Sequence, residues 1–241
     1  LNPNFSDNGR YANLRFINFN KNFQKNNLLT KVSQSNGAIV DEIEYSKMTG
    51  SKVRNGFGNG LDFYSSDNSY NYPFVEIKGI YTNDLVAKHK NTALGITKSK
   101  LFCYKGLVIN YESIGIINFK KTAQTSWYLN NDSKKVWSIT ESNPLFRGAV
   151  IKNQTLFLST PINLDLNYTS LISETNYQYD VSTNGVLPSY LLLKNEKSKD
   201  FLTNVVTEKV NQSFTTDYFL PKVNIINKYL GTQLQSSSTT T

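Results

Sequence analysis

Residues that build most catalytic and metal centres are scarce in this sequence, which contains a single cysteine, Cys103, and a single histidine, His89. One cysteine cannot form an internal disulfide. One histidine and one thiol cannot hold zinc without several spaced carboxylates, and the sequence shows no such cluster. A Ser-His-Asp triad would have to use His89, and no Gly-x-Ser-x-Gly motif accompanies it. We therefore assign no catalytic residue, no metal ligand and no cofactor.

Long hydrophobic runs are also missing. No apolar stretch approaches the ~20 residues of a transmembrane helix, so no membrane span is predicted. The chain begins at Leu1 rather than Met and lacks the charged and apolar regions of a signal peptide. We expect it to be a portion of a longer protein.

The composition favours strands over helices. Alanine is sparse, whereas the chain has 15 Tyr and 14 Phe, residues that fit pleated sheets. Strand-like segments recur every 8 to 15 residues between turn signals such as "NNDS" and "STNG". This rhythm predicts an all-β fold, an antiparallel β-sandwich with few short helices. The predicted strands are Ala38–Tyr45, Phe74–Tyr81, Thr125–Leu129, Lys135–Thr140, Ala149–Leu158, Tyr177–Val181 and Tyr190–Leu193, with one more around Arg15–Phe19.

The segment "SKLFCYKGLVINYESIGII" at 99–117 predicts a central hairpin. Its first arm is a continuous apolar run, and Lys105-Gly106 supplies a tight turn before a second apolar arm. In that arrangement Cys103 is a small core residue rather than a nucleophile.

Three parts are expected along the chain. Residues 1–36 form an Asn/Lys-rich N-terminal segment, residues 37–234 form the β-sandwich domain, and residues 235–241 form a Ser/Thr-rich tail that we expect to be a linker or frayed end. The best helix candidates are Lys197–Lys209 and Val223–Leu230.

Three short motifs receive structural interpretations. "AKHKN" places His89 in a solvated basic loop, and "GFGNG" at 56–60 lacks the spacing and the helix of a phosphate loop, so it predicts a turn. Asp41, Glu42 and Glu44 lie close together, and on a strand Glu42 and Glu44 share a face. They are candidates for a carboxylate pair of the kind that cleaves glycosides, but exposed acidic residues are common on strands, and that is the favoured interpretation.

The net charge of +8 predicts an anionic partner. Lysines flank the predicted hairpin on both sides, and aromatic residues are interleaved with them, a combination that suits polyanionic sugars or single-stranded nucleic acid. No recognisable DNA- or RNA-binding motif is present, so an acidic polysaccharide is the expected partner. An equally simple reading is a solvated basic edge that prevents strand addition. The candidate substrate-binding residues are Arg54, Lys88, Lys90, Lys98, Lys100, Lys120 and Lys121.

The hairpin region resembles the β-sandwich of family-8 polysaccharide lyases, which act on hyaluronan and chondroitin. The family pattern is a Lys-Ser pair, an aromatic strand, a short turn, an apolar return strand and a Gly-x-Ile end. Here the order is Lys98-Ser99, Leu101–Tyr104, Leu107–Ile109 and Gly115-Ile116. The acidic turn of the family is replaced by Lys105-Gly106, and the return arm is about two residues longer.

A second stretch, residues 176–202, is similar to a later part of the same family. Gly185, Pro188 and Tyr190 match by position, while Asn184 stands where the family has His. Together the two stretches cover roughly residues 75–205. The family includes an envelope lyase of insect-virus occlusion-derived virions, whose version of this region is also rich in Asn.

The resemblance implies a supporting role rather than chemistry. The catalytic residues of these lyases come from an upstream helical toroid, and none of them can be matched to a residue here. The expected function is a non-catalytic β-sandwich that supports or lines an acidic-glycan cleft beside an upstream helical domain or partner chain, in an extracellular or virion-surface protein. The alternative is a structural coat, envelope or cell-surface β protein without glycan activity.

Overall fold

The computed structural model describes residues 28–34, 38–47, 64–65, 70–77, 84–112, 115–159, 162–181, 190–215 and 220–241. Over these residues the protein consists of strands, with no α-helix and with one 3-10 turn at Pro144–Phe146. The all-β class is therefore confirmed, and the sandwich arrangement stays a prediction. In chain order the strands are β1 (Lys31–Ser33), β2 (Ile39–Lys47), β3 (Tyr64–Ser65), β4 (Phe74–Ile77), β5 (Asp84–Ala93), β6 (Ile96–Asn110), β7 (Gly115–Thr125), β8 (Tyr128–Leu129), β9 (Lys135–Asn143), β10 (Ala149–Leu158), β11 (Leu171–Val181), β12 (Leu191–Asp200), β13 (Val205–Phe214), β14 (Pro221–Leu230) and β15 (Gln233–Thr240).

The chain divides into two compact units. Unit 1 consists of Leu1–Ile116 and Trp127–Ser133, and unit 2 of Ile117–Ser126 and Lys134–Thr241. The predicted domain over 37–234 is thus shared between them. Of the predicted N-terminal segment, only residues 28–34 are described, and the strand expected around Arg15–Phe19 and the "GFGNG" turn lie outside the described residues.

Unit 1 is organised around the long strand β6. The sheet has the order β1-β2-β5-β6. β4 pairs antiparallel with the second half of β6, β8 pairs antiparallel with Lys98 and Ser99, which also pair with β5, and the two-residue β3 pairs with β6 in parallel. The core lies where β4 meets the second half of β6. Phe74, Val75 and Ile77 are buried there with Leu107, Val108 and Ile109.

The predicted hairpin over 99–117 is wrong. Residues 96–110 form one strand of 15 residues, and the chain reverses at Leu94–Gly95, between β5 and β6. Gly106 has a φ of 61° inside the strand, where it accommodates a local irregularity rather than a reversal. Leu101 and Cys103 before Lys105 are buried and alternate with half-buried Phe102 and Tyr104, whereas Leu107–Asn110 are all buried, so one continuous strand holds both apolar runs. The prediction for Cys103 is confirmed, since this thiol is 1% exposed.

Tyr104 on β6 makes the stability of the protein sensitive to alkali. Its hydroxyl donates a hydrogen bond to the carbonyl of Val86 at 3.0 Å, and burial, with a smaller contribution from Cys103, raises the pKa of Tyr104 to about 12. The neutral phenol is therefore favoured in the folded state, and its contribution is complete below the pKa of about 10 in the unfolded chain. As pH rises from about 10 to about 12, this contribution, roughly 2 kcal/mol, should be lost.

The test is the unfolding free energy of the wild type and of Tyr104→Phe, measured by urea denaturation at several alkaline pH values. Other tyrosines titrate equally in both proteins, so the difference between the two curves isolates Tyr104. The advantage of the wild type should shrink above pH 10. Parallel curves would contradict the assignment.

Unit 2 is a continuous antiparallel meander. Its order is β7-β9-β10-β11-β12-β13-β14-β15, with each strand paired to the next. The strand predicted over Ala149–Leu158 is β10 with the same bounds. The buried apolar residues concentrate at β7, β9, β10 and the loop after β10, and they are Ala123, Trp137, Ile139, Leu156, Ile162 and Leu164.

The later strands of unit 2 have little core. Among the residues described from β11 to β15, only Val206 and Asn211 are buried, and the other side chains on both faces are half-buried or exposed. Polar pairs across strands replace apolar packing: Thr175 Oγ1 lies 2.9 Å from Ser198 Oγ, and Asn211 Nδ2 donates to the carbonyl of Leu193 at 2.8 Å. Such cross-strand pairs stabilise a sheet by about 0.2–1 kcal/mol each. The Asn-rich composition therefore suits a sheet that meets solvent on both faces.

Three predictions for this region are wrong. The helix expected over Lys197–Lys209 is the end of β12, a turn and the start of β13, and the helix expected over Val223–Leu230 lies within β14. Valine and isoleucine at 205, 206, 210, 223, 225 and 226 disfavour helices, and neighbouring strands satisfy the backbone. The tail expected at 235–241 is not frayed, because β15 pairs with β14 from Gln233 to Thr240.

Candidate functional site

Strand register in unit 1 places a group of polar and aromatic side chains on one face. Asp41 lies opposite Asn91, which lies opposite Lys98, and in the neighbouring row His89 lies opposite Lys100. Directly opposed residues on paired strands point to the same face, as do residues two apart along a strand. We call this surface the His89 face. Its members are Val32, Asp41, Ile43, His89, Asn91, Lys98, Lys100, Trp127 and Leu129.

Asp41 is the polar centre of the His89 face. Its Oδ1 atom lies 2.9 Å from His89 Nε2 and accepts a hydrogen bond from Asn91 Nδ2, also at 2.9 Å. The hydrogen bond from Asn91 is the largest cause that holds the pKa of Asp41 below its ordinary value, and the hydrogen bond and charge of His89 act in the same direction against partial burial. The carboxylate is therefore ionised at neutral pH. About a third of each of the Asp41 and His89 side chains is exposed.

Trp127 supplies a flat apolar surface beside this centre. Its ring meets the ring of His89 edge to face, with centroids 4.8 Å apart and an interplanar angle of 63°. The residue remains 43% exposed, and Leu129, on the adjoining strand β8, is 37% exposed. An aromatic ring fixed on one side and open on the other is suited to stack on a ligand.

Two lysines complete the His89 face. Lys98 is exposed, and the Nζ atom of the half-buried Lys100 lies 5.7 Å from the centroid of the Phe102 ring. Across the described ranges neither lysine forms an ion pair with a carboxylate. Their charges are thus available to an anion from solution.

On the opposite face of the same strands, lysine charges are neutralised by glutamates of the same face. Lys31 Nζ lies 3.6 Å from Glu42 Oε1, and Lys90 forms an ion pair with Glu44. Burial lowers the pKa of Lys88, and the charge of Lys90 lowers it further while that of Glu44 opposes the shift. Glu42 and Glu44 do share a face, as predicted, but each is bound to a lysine. A carboxylate pair free for glycoside cleavage is therefore not found there.

The structure divides the predicted cationic residues among several places. Lys98 and Lys100 lie on the His89 face, whereas Lys88 and Lys90 point to the opposite face, because adjacent positions along a strand alternate. Lys120 and Lys121 belong to unit 2, where Lys121 Nζ lies 3.7 Å from Glu141 Oε2. Arg54 lies outside the described residues. Among the described residues of this set, Lys98 and Lys100 accompany the polar and aromatic cluster.

Sequence reasoning missed the centre of the site. His89 was expected in a solvated loop, and that prediction is wrong, since β5 runs from Asp84 to Ala93 and His89 is bound to Asp41. The spacing of His89 and Asn91, two residues apart, was the available signal, because it places both on one face of a strand. Their partner Asp41 is 48 residues away from His89 in sequence, and no local pattern identifies such a pair.

The part of the chain that the structure describes contains no group of three or more His, Cys, Asp or Glu residues arranged to hold a metal ion. Ser99, opposite Lys90 in the register, is 1% exposed and lies on the other face from His89. Within the described ranges, no helix is long and apolar enough to cross a membrane.

No protein-family model matches the chain, and no curated protein matches it.

Proposed function

We propose that this chain is a non-catalytic β protein that binds an acidic polysaccharide through the His89 face of unit 1. The observation that carries the proposal is the juxtaposition of half-exposed Trp127 with two lysines that have no carboxylate partner among the described residues, Lys98 and Lys100. A sugar ring has an apolar face that stacks on an indole. Its carboxylate or sulfate groups attract ammonium groups, and its hydroxyls exchange hydrogen bonds with amide and carboxylate oxygens.

The polar centre supports this assignment of roles. Asp41 would repel an acidic sugar if its charge were isolated, but His89 and Asn91 both donate to it. Its remaining oxygen can accept from a sugar hydroxyl. The face therefore offers stacking at Trp127, cationic groups at Lys98 and Lys100, and hydroxyl recognition around Asp41.

In this proposal the chain supplies a wall of a glycan cleft, and any lyase chemistry belongs to an upstream helical domain or partner chain. The location that suits such a ligand is extracellular or on a virion surface. A structural coat or envelope protein without glycan activity is the other candidate, and the same experiment separates the two.

The experiment measures binding to chondroitin sulfate at low and at physiological salt. Lys98→Glu/Lys100→Glu should weaken binding at least about tenfold more than the matched control Lys194→Glu/Lys222→Glu, which makes the same change of charge at exposed positions of unit 2. Trp127→Ala should weaken binding about tenfold without any change of charge. Binding of the wild type should fall with salt, because the screening length is about 8 Å at physiological ionic strength.

Each outcome decides between the candidates. Equal losses in the two charge variants would show that only net charge matters, and the His89 face would then be no site. Retention of single-stranded DNA as strong as that of chondroitin sulfate, lost in the same variants, would replace the glycan with nucleic acid. Absence of any glycan binding by the wild type would favour the structural protein.

A further inference from the structure

The last strand of unit 2, β15, has an unusual composition for a sheet edge. Among the described residues β15 pairs only with β14, and all of its residues are exposed. The strand reads QLQSSSTT and contains neither a charged residue nor proline. Proteins protect exposed strand edges with lysine, proline, short length or bulges, because the free N–H and C=O groups of an edge are a template for another strand.

The contrast with β1 supports this reading. β1 is at the end of the sheet order of unit 1, and it is three residues long and begins with Lys31. It therefore carries two of the common protections. β15 is eight residues long, and every other strand of that length or longer contains at least one charged residue.

One irregularity occurs in β15, and it leaves most of the strand regular. The register shifts between Lys228 and Tyr229, next to the turn, so Gln235 has no direct partner. From Ser236 to Thr240 the strand pairs in unbroken register with residues 224–228 of β14. Among the described residues, nothing pairs with the outer edge of these five consecutive positions.

We propose that β15 is a homotypic docking edge, at which a second copy of this chain adds its own β15 in antiparallel orientation. In a symmetric antiparallel pair, each strand faces an identical strand, so charged residues near its middle would lie opposite or diagonal to like charges. β15 has none to oppose. Copies of a protein with a net charge of +8 repel one another over most of their surface. The electrostatic repulsion between two copies is weakest where they meet through a neutral strand. Serine and threonine side chains across the new strand pair add hydrogen bonds.

The test is the concentration dependence of molar mass, measured by sedimentation or light scattering. We expect the wild type to show a monomer–dimer equilibrium. Ser238→Lys/Thr240→Lys and Ser238→Glu/Thr240→Glu should each dimerise at least about tenfold more weakly, because like charges meet across the new pair. Within the monomer these positions lie directly opposite Ile226 and Asn224, and the diagonal neighbours on β14 are Lys228 and Lys222, so the lysine variant also meets like charges inside the monomer whereas the glutamate variant meets opposite ones. Far-ultraviolet circular dichroism should confirm that both variants keep the strand content of the wild type.

Mixing the two variants is the decisive step. Opposite charges then face each other, so the mixture should dimerise at least as well as the wild type. The control Leu202→Lys/Thr203→Lys adds the same positive charge in the exposed turn between β12 and β13 and should dimerise like the wild type. A wild type that is monomeric at all concentrations, a mixture that stays monomeric, or a lysine variant that still dimerises would each overturn the proposal.

Discussion

Replacing Trp137 by Ala should lower the free energy of unfolding by about 3–5 kcal/mol. The side chain is 0% exposed, and its strand neighbours Leu156 and Thr125 are each 1% exposed, so the deletion leaves a buried cavity. Whole domains are stable by only about 5–15 kcal/mol, and the loss is a large part of that. Urea denaturation followed by circular dichroism measures it.

The other tryptophan provides the matched control. Trp127 is 43% exposed, and Trp127→Ala should cost about 1 kcal/mol or less. Trp137→Phe separates the effect of side-chain volume on stability from the effect of the polar indole N–H group. Trp137 Nε1 has no hydrogen-bond partner in the described part of the chain, so phenylalanine removes an unpaired donor while it fills much of the space. It should therefore cost much less than alanine. Equal losses from Trp137→Ala and Trp127→Ala would show that unit 2 does not depend on this core.

The second large effect is expected at Gly148, in the turn between β9 and β10. Gly148 has a φ of 76°, a conformation that costs other residues about 1–2 kcal/mol. A Cβ atom there would lie 2.9 Å from Asn118 Cβ, so the backbone or Asn118 must shift. Asn118 Nδ2 donates to the carbonyl of Gly148 at 3.2 Å, and this hydrogen bond would be disturbed. Gly148→Ala should thus cost about 2–4 kcal/mol.

Gly95→Ala is the control for this substitution. Gly95 has nearly the same φ, 77°, but an added Cβ would meet nothing within 4 Å. Gly95→Ala should lower the free energy of unfolding only by the cost of placing alanine at a positive φ, about 1–2 kcal/mol. Combining Gly148→Ala with Asn118→Gly removes the close Cβ contact and should cost less than the sum of the two single changes. Strict additivity would mean that the contact with Asn118 contributes nothing.

The two surfaces proposed above use different properties of the same composition. The His89 face of unit 1 combines charge, an aromatic ring and a bound carboxylate, which suits recognition of an acidic ligand. The outer edge of β15 lacks charge and offers backbone groups, which suits pairing with an identical strand. A dimer formed through β15 would carry two copies of the His89 face on one particle. Binding of one long polysaccharide by both copies would then raise the apparent affinity without any new contact.

Local sequence patterns were sufficient for the fold class and for several elements. The abundance of Tyr and Phe and the scarcity of Ala predicted an all-β chain, β10 was placed at its observed bounds, and Cys103 was correctly expected in the core. Where the patterns failed, the competing signals were also local. Lys105-Gly106 resembles a turn, yet burial on both sides keeps β6 continuous, and "QSSSTTT" resembles a frayed tail, yet β14 provides hydrogen-bond partners for it.

By itself, the sequence determined that this chain forms strands and that it is basic. The tertiary structure decided which strands are neighbours and in which register, and this brought His89, Asp41 and Trp127 together and directed Lys88 and Lys90 to the other face. The physical reason is the two-residue period of a strand. A register shift of one residue moves every side chain to the opposite face, and register is set by pairing between segments far apart in the chain.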